Sequence, residues 1–138
     1  MRLTNFSDLS FRVLLYAAAH PDRLVTIDEM NAFYEVSRGH LMKVVNGLTR
    51  SGFLASTRGR SGGVKLARKP SDINLAAVLR ATEPDFRLVE CMRPDNRCAI
   101  TAGCKLKSPM FEAMAAFLET IGAYSLADIQ LGSSAFAR

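Results

Sequence analysis

No run in this sequence approaches the roughly eighteen consecutive apolar residues that a membrane-spanning helix requires. The opening stretch "MRLTNFSDLSFRVLLYAAAH" is apolar only in parts. Asp8 and Arg12 interrupt it and no small-residue cleavage site follows, so it reads as a helix and not as a secretory signal. A cytosolic protein is expected, where structural disulfides are uncommon. Internal repeats and low-complexity tracts are missing as well. Cysteine is scarce: there are three, Cys91, Cys98 and Cys104, all within fourteen residues. Their spacing is neither the Cys-x-x-Cys of a thioredoxin-like redox site nor the paired two-residue spacing of a zinc ribbon. The two histidines, His20 and His40, lie far from the cysteines in sequence, so neither is placed to activate a nucleophilic thiolate, and no enzyme is expected.

What is present is a basic excess, and it is local. Residues 1–70 carry eleven Lys or Arg against five Asp or Glu, whereas residues 71–138 carry seven against eight. Between positions 50 and 69 stand Arg50, Arg58, Arg60, Lys65, Arg68 and Lys69, with no acid among them. Such a block suits a polyanionic partner, because each phosphate neutralised releases condensed counterions; a solvated basic loop is the simpler alternative.

The apolar periodicity predicts a mostly α fold. Phe6, Leu9, Val13, Tyr16 and Ala17 recur at helical spacing, with Asn5 or Ser7 as the expected cap. Thr26, with Glu29 three residues on, reads as a capping box opening a short helix whose inward residues are Ile27, Met30 and Phe33 or Tyr34. Ser37 opens a third helix with Leu41, Val44, Val45 and Leu48 as its buried stripe and Gly52 at its end. The last two form a helix-turn-helix. The segment "FLASTRGRSGGVKLAR" then reads as a β-hairpin wing with a Gly- and Arg-rich tip. A further short helix is expected in "PSDINLAAVLRATE", capped by Ser71 or Asp72. The cysteines fall in a loop, and a long helix opens at Ser108 with Pro109 in its first turn. Met110, Phe111, Met114, Phe117, Leu118 and Ile121 give that helix an apolar surface too broad for one-sided packing, which favours a dimer interface over packing on its own domain alone. The expected organisation is a DNA-binding domain over 1–82, a cysteine loop over 83–107, and a dimerisation helix with tail over 108–138.

A recognition helix presents the residues off its buried stripe to base edges in the major groove. Here these are Ser37, Arg38, His40, Lys43 and Asn46. Arg38 suits guanine and Asn46 suits adenine, while His40 serves either DNA or a backbone carbonyl. On the wing, Arg58, Arg60 and Lys65 are expected to meet phosphates or the minor groove of double-stranded DNA, and a dimer should read an inverted repeat. Three thiols on a loop of small and polar residues suit a metal centre whose fourth position is filled from elsewhere; sulfur favours zinc or iron-sulfur, and composition does not separate them.

The segments "VSRGHLMKVVNGL", "TRGRSGGVKLAR", "LRATEPDFRLVEC" and "AFLETIGAYSLADI" resemble, in order and in cysteine placement, the winged-helix iron-sulfur regulators, and within them the nitric-oxide-sensing repressors. The resemblance runs from about residue 2 to residue 130. It implies a homodimeric transcriptional repressor with one 4Fe-4S cluster per subunit, held by Cys91, Cys98 and Cys104, with Asp8 of the partner subunit at the matching position for the fourth ligand. From the residues alone, Asp8 is an exposed helix residue pairing with Arg12. Relatives with a 2Fe-2S cluster carry a ligand histidine three residues after the last cysteine, and this chain has Lys107 there. That departure argues against the cluster-biogenesis branch; the alternatives are a regulator sensing iron or redox state through a 2Fe-2S cluster, and a thiol- or zinc-based DNA-binding regulator. Ser61 stands in the wing tip where relatives often have glycine.

Overall fold

The structure is a computed structural model and describes residues 2–137. Its first element, α1 (Asn5–Ala18), is the centre of the molecule, and Leu9, Val13, Leu14, Tyr16 and Ala17 are all buried along it. The cap is Thr4 and not Asn5 or Ser7: Thr4 has extended backbone and its hydroxyl accepts the Ser7 N–H at 3.2 Å, while Ser7 lies inside the helix, buried. Helix α2 (Ile27–Tyr34) is capped by Thr26, which accepts the Glu29 N–H. The expected box is half formed, because the Glu29 carboxylate turns outward to Arg23 at 2.8 Å. Glu35 follows in the left-handed region, φ 54°, and turns the chain into α3 (Arg38–Arg50).

Helix α3 buries Leu41, Val44, Val45 and Leu48, the stripe its periodicity predicts. It ends in a Schellman turn, in which Gly52 takes φ 73° and the Phe53 N–H donates to the Leu48 carbonyl at 2.9 Å. The chain runs directly into β1 (Leu54–Thr57), which pairs antiparallel with β2 (Gly63–Leu66), Leu54 opposite Leu66 and Thr57 opposite Gly63. Val25, between α1 and α2, bridges to Val64 and anchors the hairpin to the helices. This is a winged helix-turn-helix.

Beyond the wing, Pro70–Asp72 forms a 3-10 turn and α4 (Leu75–Thr82) starts later than expected. Asn74 is the cap, not Ser71 or Asp72, because Ile73 must first drop its fully buried side chain into the core. The cysteine segment is irregular apart from a 3-10 turn at Glu90–Met92. Helix α5 (Lys107–Gly122) begins one residue before the expected Ser108, and only Met114 on it is buried. Helix α6 (Leu126–Ile129) carries a complete capping box between Ser125 and Asp128, whose carboxyl is held below its ordinary range by the Ser125 N–H and hydroxyl.

The C-terminal chain returns to the first half. Leu126 is fully buried in the core that α1 organises, and its N–H donates to the Ile73 carbonyl at 2.8 Å. Gln130 donates to the Ala18 carbonyl, and the Phe136 ring stands edge-on to Tyr16 at 5.3 Å.

Candidate nucleic-acid interface and cysteine loop

The α3 stripe packs inward, so the opposite side of the helix is left to solvent. Ser37, Arg38, His40, Lys43 and Asn46 are all exposed. Ser37 has a local duty as well: its hydroxyl accepts the His40 N–H at 3.3 Å and caps the helix, leaving the hydroxyl hydrogen for an outside acceptor. The His40 imidazole makes no hydrogen bond to a backbone carbonyl among the described residues; the histidine ring that does so is that of His20, whose Nδ1 lies 2.8 Å from the Tyr16 carbonyl. His40 and Lys43 instead border a cavity of about 350 Å³ beside Asn5, Phe6, Asp8 and Arg12 of α1.

Two features of this face escaped the sequence reading. Met42, 41% exposed, lies one turn after Arg38 and one before Asn46, where an apolar side chain suits a thymine methyl. The signal was available in the helical spacing, but methionine reads as core. The second is an ion pair between elements: Arg38 Nε donates to Asp28 Oδ1 of α2 at 2.7 Å, and this raises the arginine's pKa further.

The wing tip holds Arg58 and Arg60 exposed on a short loop, and Lys65 points outward from β2 opposite Ala55. Glycine is required at this tip. A Cβ at Gly62 would stand 2.4 Å from the Thr57 carbonyl oxygen, and Gly59 takes φ 114°. Helix α1 reaches α3 through a close contact, since a Cβ at Gly47 would lie 2.9 Å from the Phe6 ring. Tyr34, its pKa pushed up to about 12 chiefly by burial, donates its hydroxyl to the Arg12 carbonyl at 2.8 Å and ties α2 to α1.

All three cysteines are free thiols. Cys91 is buried in the 3-10 turn; Cys98 and Cys104 are half-buried on irregular backbone. The Thr101 hydroxyl lies 2.8 Å from the Cys98 carbonyl, and the Cys104 N–H donates to the Ile100 carbonyl at 2.9 Å. The donor set fits a thiophilic metal centre in kind. It is not gathered here: among the described residues no three His, Cys, Asp or Glu side chains stand close enough to hold a metal ion. Asp8 is exposed on α1 and pairs with Arg12 at 2.8 Å. Lys107 lies with its ammonium 5.8 Å from the Phe111 ring centre.

Along α5, Met110, Met114, Phe117 and Ile121 line one wall of a cavity of about 690 Å³ whose other walls come from Phe11, Leu79 and residues 85–89. Phe111, on the same helix, is 47% exposed. No helix among the described residues is long and apolar enough to cross a membrane.

Comparison with known proteins agrees with this geometry. Residues 3–131 match the Rrf2 family, described as "Iron-dependent Transcriptional regulator". The chain is 42% identical over 131 residues to the HTH-type transcriptional regulator NsrR of Bacillus subtilis, covering 94% of this chain and 90% of that protein. It is 40% identical to the NsrR of Geobacillus kaustophilus, over 94% and 89% of the two chains. Among solved structures, the fold matches CymR, the global cysteine regulator of B. subtilis, with a TM-score of 0.75 at 19% identity over 99% of each chain. It also matches T. potens IscR, with a TM-score of 0.72 at 21% identity over 94% of this chain and 85% of that one.

Proposed function

The chain belongs to the Rrf2 family of transcriptional regulators, and from that premise we propose that it is a cytosolic repressor that binds operator DNA as a homodimer and lets go in response to nitric oxide. The observation that carries this reading is the confinement of three free thiols to one irregular loop on a winged helix with an exposed basic face, in a chain about 40% identical to proteins named NsrR.

Cys91, Cys98 and Cys104 would hold an iron-sulfur cluster, 4Fe-4S in this reading, with Asp8 of the partner subunit completing the set. When bound, the cluster supplies iron that nitric oxide attacks. The protein's part is mechanical. An Asp8 carboxylate engaged by the partner's loop ties α1 of one subunit to the other, and α1 seats its Phe6 ring against Gly47 of α3. The tie therefore bears on the spacing of the two recognition helices. A carboxylate that has left the loop has Arg12 at 2.8 Å as its partner. A hundredfold loss of DNA affinity needs a difference of only about 2.7 kcal/mol between the two arrangements. The second copy packs on the apolar side of α5, where Phe111 is exposed and Met110 and Phe117 border an open cavity.

Native mass spectrometry of protein prepared without oxygen tests this directly. The expected mass is a dimer with a 4Fe-4S cluster in each subunit, with the iron lost in Cys98→Ser and either iron retention or nitric oxide response altered in Asp8→Ala. A 2Fe-2S mass would transfer the reading to a sensor of iron or redox state. Zinc, or a bare dimer whose DNA binding follows thiol reductants alone, would remove the cluster from it.

A further inference from the structure

The interface just described contains one contact that the DNA-reading role of α3 does not itself require. Arg38, the first residue of α3, gives its Nε hydrogen to Asp28 Oδ1 at 2.7 Å, and Asp28 sits in the first turn of the neighbouring helix α2. Burial does not force the pairing, since the side chains are 59% and 73% exposed. One turn along, Arg38 Nη1 donates a weak hydrogen bond to Met42 Sδ at 3.7 Å.

A guanidinium has five N–H donors in a rigid plane. Asp28 takes the one on Nε, at the stem, and Met42 Sδ takes one of the two on Nη1, which leaves the other hydrogen of Nη1 and an outward one of Nη2. Those two are the parallel pair that meets O6 and N7 of guanine in the major groove. An arginine without such a brace can also swing to a phosphate, where it adds affinity but reads no sequence. The carboxylate opposes that alternative twice, by occupying Nε and by repelling the phosphate backbone.

We propose that Asp28 is a positioning residue for base recognition, holding Arg38 end-on so that its two terminal nitrogens read one guanine in each half-site. This rests on α3 being the DNA-reading helix. Specificity at that base pair is then set by two helices together, and Asp28 lowers general DNA affinity while raising selectivity.

The opposite signs of those two effects make the test. Duplexes would be selected from a randomised pool with the cluster-loaded wild-type protein, and binding measured by fluorescence anisotropy to the selected duplex, to each single-base variant and to an unrelated duplex. Wild type should prefer guanine over adenine about tenfold or more at one position in each half-site. Asp28→Ala should cut that preference to about twofold while binding the unrelated duplex severalfold more tightly, as loss of an acid near phosphates requires. Asp28→Asn, whose side-chain carbonyl still accepts from Nε, should keep most of the preference yet share the gain in general affinity. In Arg38→Ala the preference should vanish, with no further change on adding Asp28→Ala. A uniform gain in affinity in Asp28→Ala, with every base preference intact, would reduce Asp28 to a surface charge and overturn the proposal. A wild type that selects a sequence while Arg38→Ala loses no preference would overturn it and leave α3 as the reader. A wild type that selects no sequence would overturn the reading of α3 itself.

Discussion

Gly39 and Gly62 both lie on the surface proposed to meet DNA, and their surroundings demand opposite things of a methyl group. At Gly39, in the exposed first turn of α3, nothing stands within 4 Å of an added Cβ. Gly39→Ala should therefore raise stability by about 0.5–1 kcal/mol through helix propensity alone, read as a rise of a few degrees in thermal midpoint. At Gly62 the same methyl meets the Thr57 carbonyl oxygen at 2.4 Å, so the wing tip must rebuild. Gly62→Ala should weaken DNA binding about tenfold, equivalent to about 1.4 kcal/mol, with the midpoint of the core little moved. Melting curves beside anisotropy titrations check both. At this scale the sequence was informative at several positions where a residue acts on neighbouring backbone, though the caps of α1 and α4 fell on Thr4 and Asn74 instead of the expected residues. Ser37, Thr26 and Gly52 were legible as caps and stops because capping depends on neighbours two or three positions away. The Asp28 to Arg38 pair was not, since ten residues and a turn separate the partners and only the angle between α2 and α3 brings them together.

Among the elements, α4 shows how a boundary is lost and what replaces it. Ser71 and Asp72 look like caps, but a cap works only where the chain is ready to turn, and Ile73 had first to reach the core. Asn74 then does two jobs. Its Oδ1 accepts the Ala77 N–H at 3.1 Å, and its Nδ2 donates to the Gly122 carbonyl at 2.6 Å, joining the start of α4 to the end of α5. Asn74→Ala should cost about 2 kcal/mol, the sum of a cap and a partly buried hydrogen bond, against about 1 kcal/mol for Ser37→Ala, which loses a cap alone. Urea unfolding midpoints of the two variants give the comparison; equal losses would mean the bond to Gly122 contributes nothing. The stripe of α3 was legible in full because one face alone is buried. Helix α1 was legible only in part, since a central helix is packed on several sides and Leu14 and Ser10 belong to no single stripe.

For the whole molecule, charge was readable before any fold. The basic excess of the first seventy residues corresponds in the structure to an exposed helix face and a wing tip. If about six phosphates are neutralised, log affinity should fall with log salt at a slope near −5. Arg58→Ala with Arg60→Ala should flatten that slope by about two, which anisotropy titrations at several salt concentrations would show; an unchanged slope would place the wing away from the backbone. The sequence could not disclose how its C-terminal part returns to the core, because burial of Leu126 beside Ile73 is a contact between distant positions with no local signature. That contact bears on how the protein is made. A chain emerges from the ribosome N-terminus first, and local structure forms as it appears. The helix-turn-helix and wing are complete by residue 66, yet the core beneath them keeps a gap until Leu126 arrives. Until then a nascent chain displays apolar surface for chaperones to cover, and the cysteine segment is already outside before the fold has closed on either side of it.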